Sequence, residues 1–192
     1  MKSIYIILIK SNTFLSNLIR MTTFSPYTHV SISFSESLYP LYSFGRRNKH
    51  HLLPAGLVTE DINTSFLGNN IPCAVYKLQV SEGVFDKAKQ EVERMMVDVD
   101  SYHYNVLGLL LSRLGIPYHR EKHYFCSQFV SEVLHRSNAL PLTKPSSLMY
   151  PSNFIDLPEL TCIFEGYLNS LKKDMPAATL NIYNLYSTGR KL

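Results

Sequence analysis

The apolar residues of this chain fall into runs of two kinds, one with the two-residue period of a strand and one with the 3.6-residue period of a helix. Ile4-Tyr5-Ile6-Ile7-Leu8-Ile9 is continuous and rich in aliphatic side chains, which predicts a buried strand. Ser11-Asn12-Thr13 supplies cap residues ahead of Phe14, Leu15, Leu18 and Ile19, a spacing that predicts a short helix ending near Arg20. Val30, Ile32 and Phe34 alternate with Ser31, Ser33 and Ser35, the pattern of a half-buried strand. A turn at Glu36-Ser37 and a hairpin partner over Leu38 to Phe44 follow, ended by Gly45. Residues 46 to 70 carry Pro54, Gly56 and Gly68-Asn69-Asn70 and read as mostly loop, with a short strand from Gly56 to Glu60 as an option within it. Ala74 to Val80 alternates again and predicts a strand.

The second half of the chain changes to helical spacing. Ser81-Glu82-Gly83-Val84 opens a helix to about Val97, with Val84, Ala88, Val92 and Met95 or Met96 on one face. Asn105 to Leu114 holds Val106, Leu107, Leu109, Leu110 and Leu111 and predicts a more buried helix, closed by Gly115 and Pro117. A third begins at Cys126, where Phe129, Val130, Val133 and Leu134 form the apolar stripe. Pro141, Pro145 and Pro151 punctuate a loop, Leu160 to Tyr167 predicts a last core strand, and the polar chain from Lys172 predicts a loosely held tail. Strands and helices in these runs predict an α+β class, with one domain over residues 1–170 and a tail over 171–192.

With 192 residues, 45% hydrophobic and 18% charged, the chain can bury one core and is too apolar to be disordered. Its three cysteines, Cys73, Cys126 and Cys162, are odd in number and lack metal-ligand spacing, which fits a reducing compartment better than a disulfide framework. The run at residues 4–9 is shorter than a secretory core and has no small-residue cleavage site near it, and no segment reaches the roughly 20 apolar residues of a spanning helix. A soluble cytoplasmic protein is the expectation. The net charge of +4 is mild, and Arg46-Arg47-Asn48-Lys49-His50-His51 is the one basic cluster. A solvated loop accounts for that cluster better than a nucleic-acid surface does, and no nucleic-acid partner is expected. His119 and His123 flank Glu121 without the two-histidine spacing of a helical zinc site, so neither a metal nor a cofactor is expected.

Cys126 stands where a loop turns into a helix. The first turn of a helix has free N–H groups and a partial positive charge, which favours a thiolate and makes this cysteine the candidate nucleophile. Cys73 and Cys162 sit in strand-like apolar sequence and read as small buried hydrophobes. A nucleophilic cysteine needs a base and a group to orient it. His29, at the start of a strand, is the candidate base.

Thr28-His29-Val30-Ser31-Ile32, the following Leu41-Tyr42-Ser43-Phe44-Gly45-Arg46, and the much later Tyr124-Phe125-Cys126-Ser127-Gln128-Phe129-Val130 resemble the circularly permuted branch of the NlpC/P60 superfamily of papain-like cysteine hydrolases. In that branch the histidine strand precedes the cysteine helix, as it does here across residues 3 to 167. The resemblance implies a small antiparallel sheet packed on helices, with Cys126 attacking an acyl carbon and His29 acting as base and then acid. It implies an oxyanion hole that includes the backbone N–H of Cys126. Tyr104 matches the upstream tyrosine that lines such sites, and Ser127 is placed beside it on the substrate side. The third catalytic member belongs on the strand after His29. A turn at Glu36-Ser37 brings residues 42 to 44 beside His29, which nominates Ser43, with Tyr42 replacing it if the register slips by one. Neither is the His, Asn or Gln usual for the role, and Phe125 stands where the ordinary branch has an Asp.

The function so implied is a cytoplasmic thiol hydrolase or acyltransferase acting on a small-molecule, peptide or lipid-like acyl substrate. The alternative is a non-catalytic member that uses the same cleft to bind an acyl or peptide ligand or a partner protein.

Overall fold

The strand-forming runs of the sequence join in one sheet. The structure is a computed structural model and describes residues 1–10, 26–47, 55–66 and 70–174; the helix expected over Phe14 to Arg20 and residues 48–51 of the basic cluster lie outside the described residues. Its strands are β1 (Lys2–Ile9), β2 (His29–Ser33), β3 (Leu41–Arg46), β4 (Ala55–Glu60), β5 (Pro72–Val80), β6 (His103–Tyr104), β7 (His123–Tyr124) and β8 (Thr161–Tyr167). The helices are α1 (Glu82–Val97), α2 (Val106–Ser112), α3 (Cys126–Arg136) and α4 (Leu168–Asp174). The class is therefore α+β, and the eight-stranded sheet, in the order β7-β6-β4-β3-β2-β1-β5-β8, is larger than the small sheet expected. Every pairing is antiparallel except that of β6 with β7.

The apolar run at residues 4–9 sits in the middle of this sheet, between β2 and β5, and all six of its side chains are buried. Its alternation divides the core. Ile4, Ile6 and Leu8 face the larger cluster, with Val30, Ile32 and Phe44, against α1 and α3; Tyr5, Ile7 and Ile9 face a second cluster with Leu41, Ile62 and Val75. Phe44 anchors α3 to the sheet, its ring centroid 5.2 Å from that of Phe129 and 5.4 Å from that of Tyr124.

β4 falls on the short strand offered at Gly56 to Glu60 within the loop-rich stretch, and Gly56 shows why a strand fits there. A Cβ at Gly56 would stand 2.1 Å from the Tyr102 carbonyl oxygen and 3.1 Å from Arg47 Nη2. Only glycine permits β4 to approach β6 so closely. Arg47 binds the same turn, donating to the Tyr102 carbonyl at 3.0 Å and to Asp100 at 2.9 Å. This member of the basic cluster is a fastener rather than part of a solvated loop.

Several expectations change. Ser81 caps α1 as its position suggested, but α2 is shorter and less buried than expected: Leu109 is fully buried, whereas Leu107, Leu110 and Leu114 are exposed. The segment closes at Gly115, whose φ of 70° only glycine adopts freely. β8 is an edge strand with mostly exposed side chains rather than a core strand, and Cys162 on it is exposed. Where a tail was expected from residue 171, α4 continues to Asp174, because Leu168 and Leu171 bury themselves in the second cluster.

Gly56→Ala is expected to destabilise the protein by about 2–3 kcal/mol, because a methyl group must displace backbone. Urea denaturation against Gly83→Ala, at a position with nothing within 4 Å, provides the measurement and its control.

Candidate active site

β6 and β7 are two residues long, and each runs straight into a helix. They pair in parallel with Tyr104 opposite Tyr124, and the Asn105 N–H donates to the Tyr124 carbonyl at 3.0 Å. This pairing sets the start of α2 beside the start of α3. Asn105 caps α2, its Oδ1 accepting from the Gly108 N–H at 2.9 Å, while its Nδ2 donates to Gln128 Oε1 on α3 at 3.2 Å. Phe125 is the residue before α3, in extended conformation with φ −102° and ψ 168°, and its carbonyl accepts from the Phe129 N–H at 2.9 Å. Its side chain is fully buried. Cys126 is thereby the first helical residue, with no side-chain cap competing for the free N–H groups of the first turn.

Two side chains converge on Cys126, and a third stands behind one of them. The Tyr104 hydroxyl faces the thiol and the Cys126 backbone N–H, and burial, with the thiol's charge added, holds this phenol well above its usual range. His29 opens β2, and its ring interacts with the thiol. Behind the ring stands Glu60, the last residue of β4. His29 Nε2 lies 3.0 Å from Glu60 Oε1 and 2.9 Å from Glu60 Oε2. Ser31 donates to Glu60 Oε2 at 2.6 Å, and its Oγ lies 3.3 Å from His29 Nε2. With Nε2 turned to the carboxylate, the other ring nitrogen, Nδ1, is left for the thiol. Phe66 packs on the imidazole at a centroid distance of 5.8 Å.

Burial disfavours the charged form of His29, but the Glu60 carboxylate and the Cys126 thiol outweigh it and push the imidazole up to about 10. The Glu60 carboxylate thus favours the protonated ring. It is flanked by an acid that orients it and a thiol that it can influence. Cys73 is a buried hydrophobe as expected, and burial pushes its thiol up to about 12. No group of three or more His, Cys, Asp or Glu side chains that could hold a metal occurs among the described residues.

Glu60, rather than Ser43 or Tyr42, stands at the orienting position. Ile32 pairs with Tyr42, so continuing that antiparallel register puts Gly45 opposite His29. Ser43 is fully buried and donates to the Val30 carbonyl at 2.7 Å, while Tyr42 packs against Phe34. Gly45 lies on β3 between the Glu60 carboxylate and the His29 ring. A Cβ at that point would lie 3.5 Å from Glu60 Oε1 and 3.9 Å from His29 Cε1, so a small side chain fits and a branched one fills the gap. The side chain of Ser127 also departs from expectation. It is buried and donates to the Met149 carbonyl at 2.6 Å, which ties the 146–149 segment to α3 instead of facing a substrate. Glu60 had a weak sequence signal at best, since an acidic residue ending a strand is most often solvated.

Glu60→Gln removes the charge that holds the His29 proton, so the midpoint of the His29 imidazole titration followed by NMR is expected to fall from about 10. Because the folded-state value lies above the ordinary 6.5, the stabilisation from this proton is complete below about pH 6.5 and is lost as pH rises through about 10. The stability gap between the parent and Glu60→Gln is therefore expected to narrow over that interval in urea titrations. Gly45→Val is expected to lower the same midpoint with Glu60 intact, whereas an unchanged midpoint would show that β3 does not need the gap.

No protein-family model matches the chain, and the curated proteins offer no match either.

Proposed function

We propose that the chain is a thiol hydrolase or acyltransferase with a papain-like site in circularly permuted NlpC/P60 order, working through an acyl-enzyme on Cys126. The observation that carries this reading is the convergence of His29, backed by Glu60, and Tyr104 on one thiol at a helix start. A cation beside a thiol favours the thiolate. Sγ of Cys126 attacks the acyl carbon and the C=O pair moves onto oxygen, facing the Cys126 N–H and the Tyr104 hydroxyl. Collapse of this intermediate expels the amine or alcohol, which takes its proton from His29. Water or an acceptor alcohol or amine then attacks the thioester, gives its proton to His29, and releases Cys126. Glu60 keeps the imidazole aligned through both halves. A cytoplasmic setting and a small-molecule, peptide or lipid-like acyl substrate belong to the same proposal.

The second reading, a non-catalytic binding protein of the same fold, has one observation in its favour. Cys126 is only 1% exposed, so a substrate must open the site to reach Sγ.

Labelling by iodoacetamide separates the two. The parent is expected to label at Cys126 faster than an ordinary thiol, and His29→Ala is expected to slow that labelling at least tenfold. Equal rates in parent and variant would sink the enzyme reading. Across a panel of esters and amides, Cys126→Ala is expected to abolish turnover. Tyr104→Phe is expected to lower kcat by about 10²-fold through the loss of one oxyanion donor.

A further inference from the structure

We propose that α2 and the loop after it dock the protein on an anionic lipid surface, with the leucine side of α2 in the acyl-chain boundary. Leu107, Leu110 and Leu114 follow helical spacing on one side of this segment and are 52%, 42% and 72% exposed. Val106 and Ile116 extend the patch at 39% and 46%. An apolar stripe of this continuity is unusual for a face that meets only water. The charge around it selects the occupant. No acidic residue occurs between Tyr104 and Arg120, whereas Arg113 and Arg120 are both exposed at its border. Basic side chains beside inserted apolar ones are the signature of attraction to anionic headgroups followed by burial of the apolar side.

The same loop continues into a feature that suits a headgroup. Pro117 and His119 form one wall of a cavity of about 500 Å³ that Lys144 and His135 also line. Lys144 Nζ spends one donor on Asn153 Oδ1 at 2.8 Å. Glu132, the carboxylate in this lining, is already engaged by Arg136 Nε at 2.8 Å and Ser146 Oγ at 2.6 Å. The cavity thus presents the Lys144 ammonium close to the loop that continues the apolar stripe. α2 begins two residues after Tyr104, so the docked segment adjoins the residues around Cys126. The surface itself stands on exposure and charge alone and does not depend on Cys126 being a nucleophile.

Sedimentation of the full chain with vesicles of equimolar phosphatidylcholine and phosphatidylglycerol tests this. The parent is expected to sediment with them and to stay in solution with phosphatidylcholine alone. Leu107→Ser and Leu114→Ser are each expected to lower the partition coefficient about tenfold, and Arg120→Gln about fivefold, with melting temperatures unchanged because all three side chains are exposed. Failure of the parent to bind the anionic vesicles, or equal binding by the double leucine variant, would overturn the proposal. So would a lipid-free dimer, seen by analytical ultracentrifugation, that the leucine changes dissolve, since the stripe would then belong to a second copy of the chain.

Discussion

The contact between His29 and Glu60 is the constraint on which the candidate site depends. Two ionisable side chains removed from water lose several kcal/mol of hydration each, and only close pairing with further hydrogen bonds makes such burial tolerable. Here the pairing is close, with both carboxylate oxygens within 3.0 Å of Nε2 and Ser31 donating to one of them. Burial opposes the charged imidazole, and the Glu60 carboxylate together with the Cys126 thiol outweighs it. A ring held on one side by a carboxylate has one remaining nitrogen and one remaining direction. The thiol interacts with the same ring.

The sheet is built so that this contact can form. Glu60 belongs to β4 and His29 to β2, and β3 runs between them. Two glycines line the route. Gly45 leaves open the space between carboxylate and imidazole, and Gly56 lets β4 come against the Tyr102 backbone, which brings β6 and Tyr104 into the same sheet. The parallel pairing of β6 with β7 then aligns two helix starts, so that a tyrosine at the end of one strand meets a cysteine just past the other. The core supplies rigidity behind these edges, through Phe44 on β3 packed against Phe129 of α3.

Much of this was legible in local pattern. The alternation around Val30 and Ile32, the continuous run at residues 4–9 and the helix that starts at Cys126 are properties of neighbouring residues, and they survive as β2, β1 and α3. Cys126 and His29 could be nominated because each sits at the beginning of such an element, whereas Tyr104 was nominated by the family resemblance alone. The orienting acid could not be reached in this way. Its choice depends on the register between β2 and β3, where a shift of one residue changes which side chain faces the imidazole, and on a glycine gap that lets a carboxylate two strands away take the place of an adjacent side chain. The burial of α2 failed for a related reason. Leucine-rich spacing shows which residues share a face, not whether another element covers it, and here the Leu107 and Leu114 side stays open.

The sequence by itself determined β1, β2, β3, β5, α1 and α3 and nominated Cys126 and His29, because hydrophobic period and helix-end chemistry act over a few residues. Only the tertiary structure decided that Glu60 backs His29, that Ser43 and Ser127 serve backbone carbonyls, and that α2 presents leucines to the outside. Each of those outcomes depends on which segments meet across the sheet, where a distance of one pleat or one missing Cβ selects the partner.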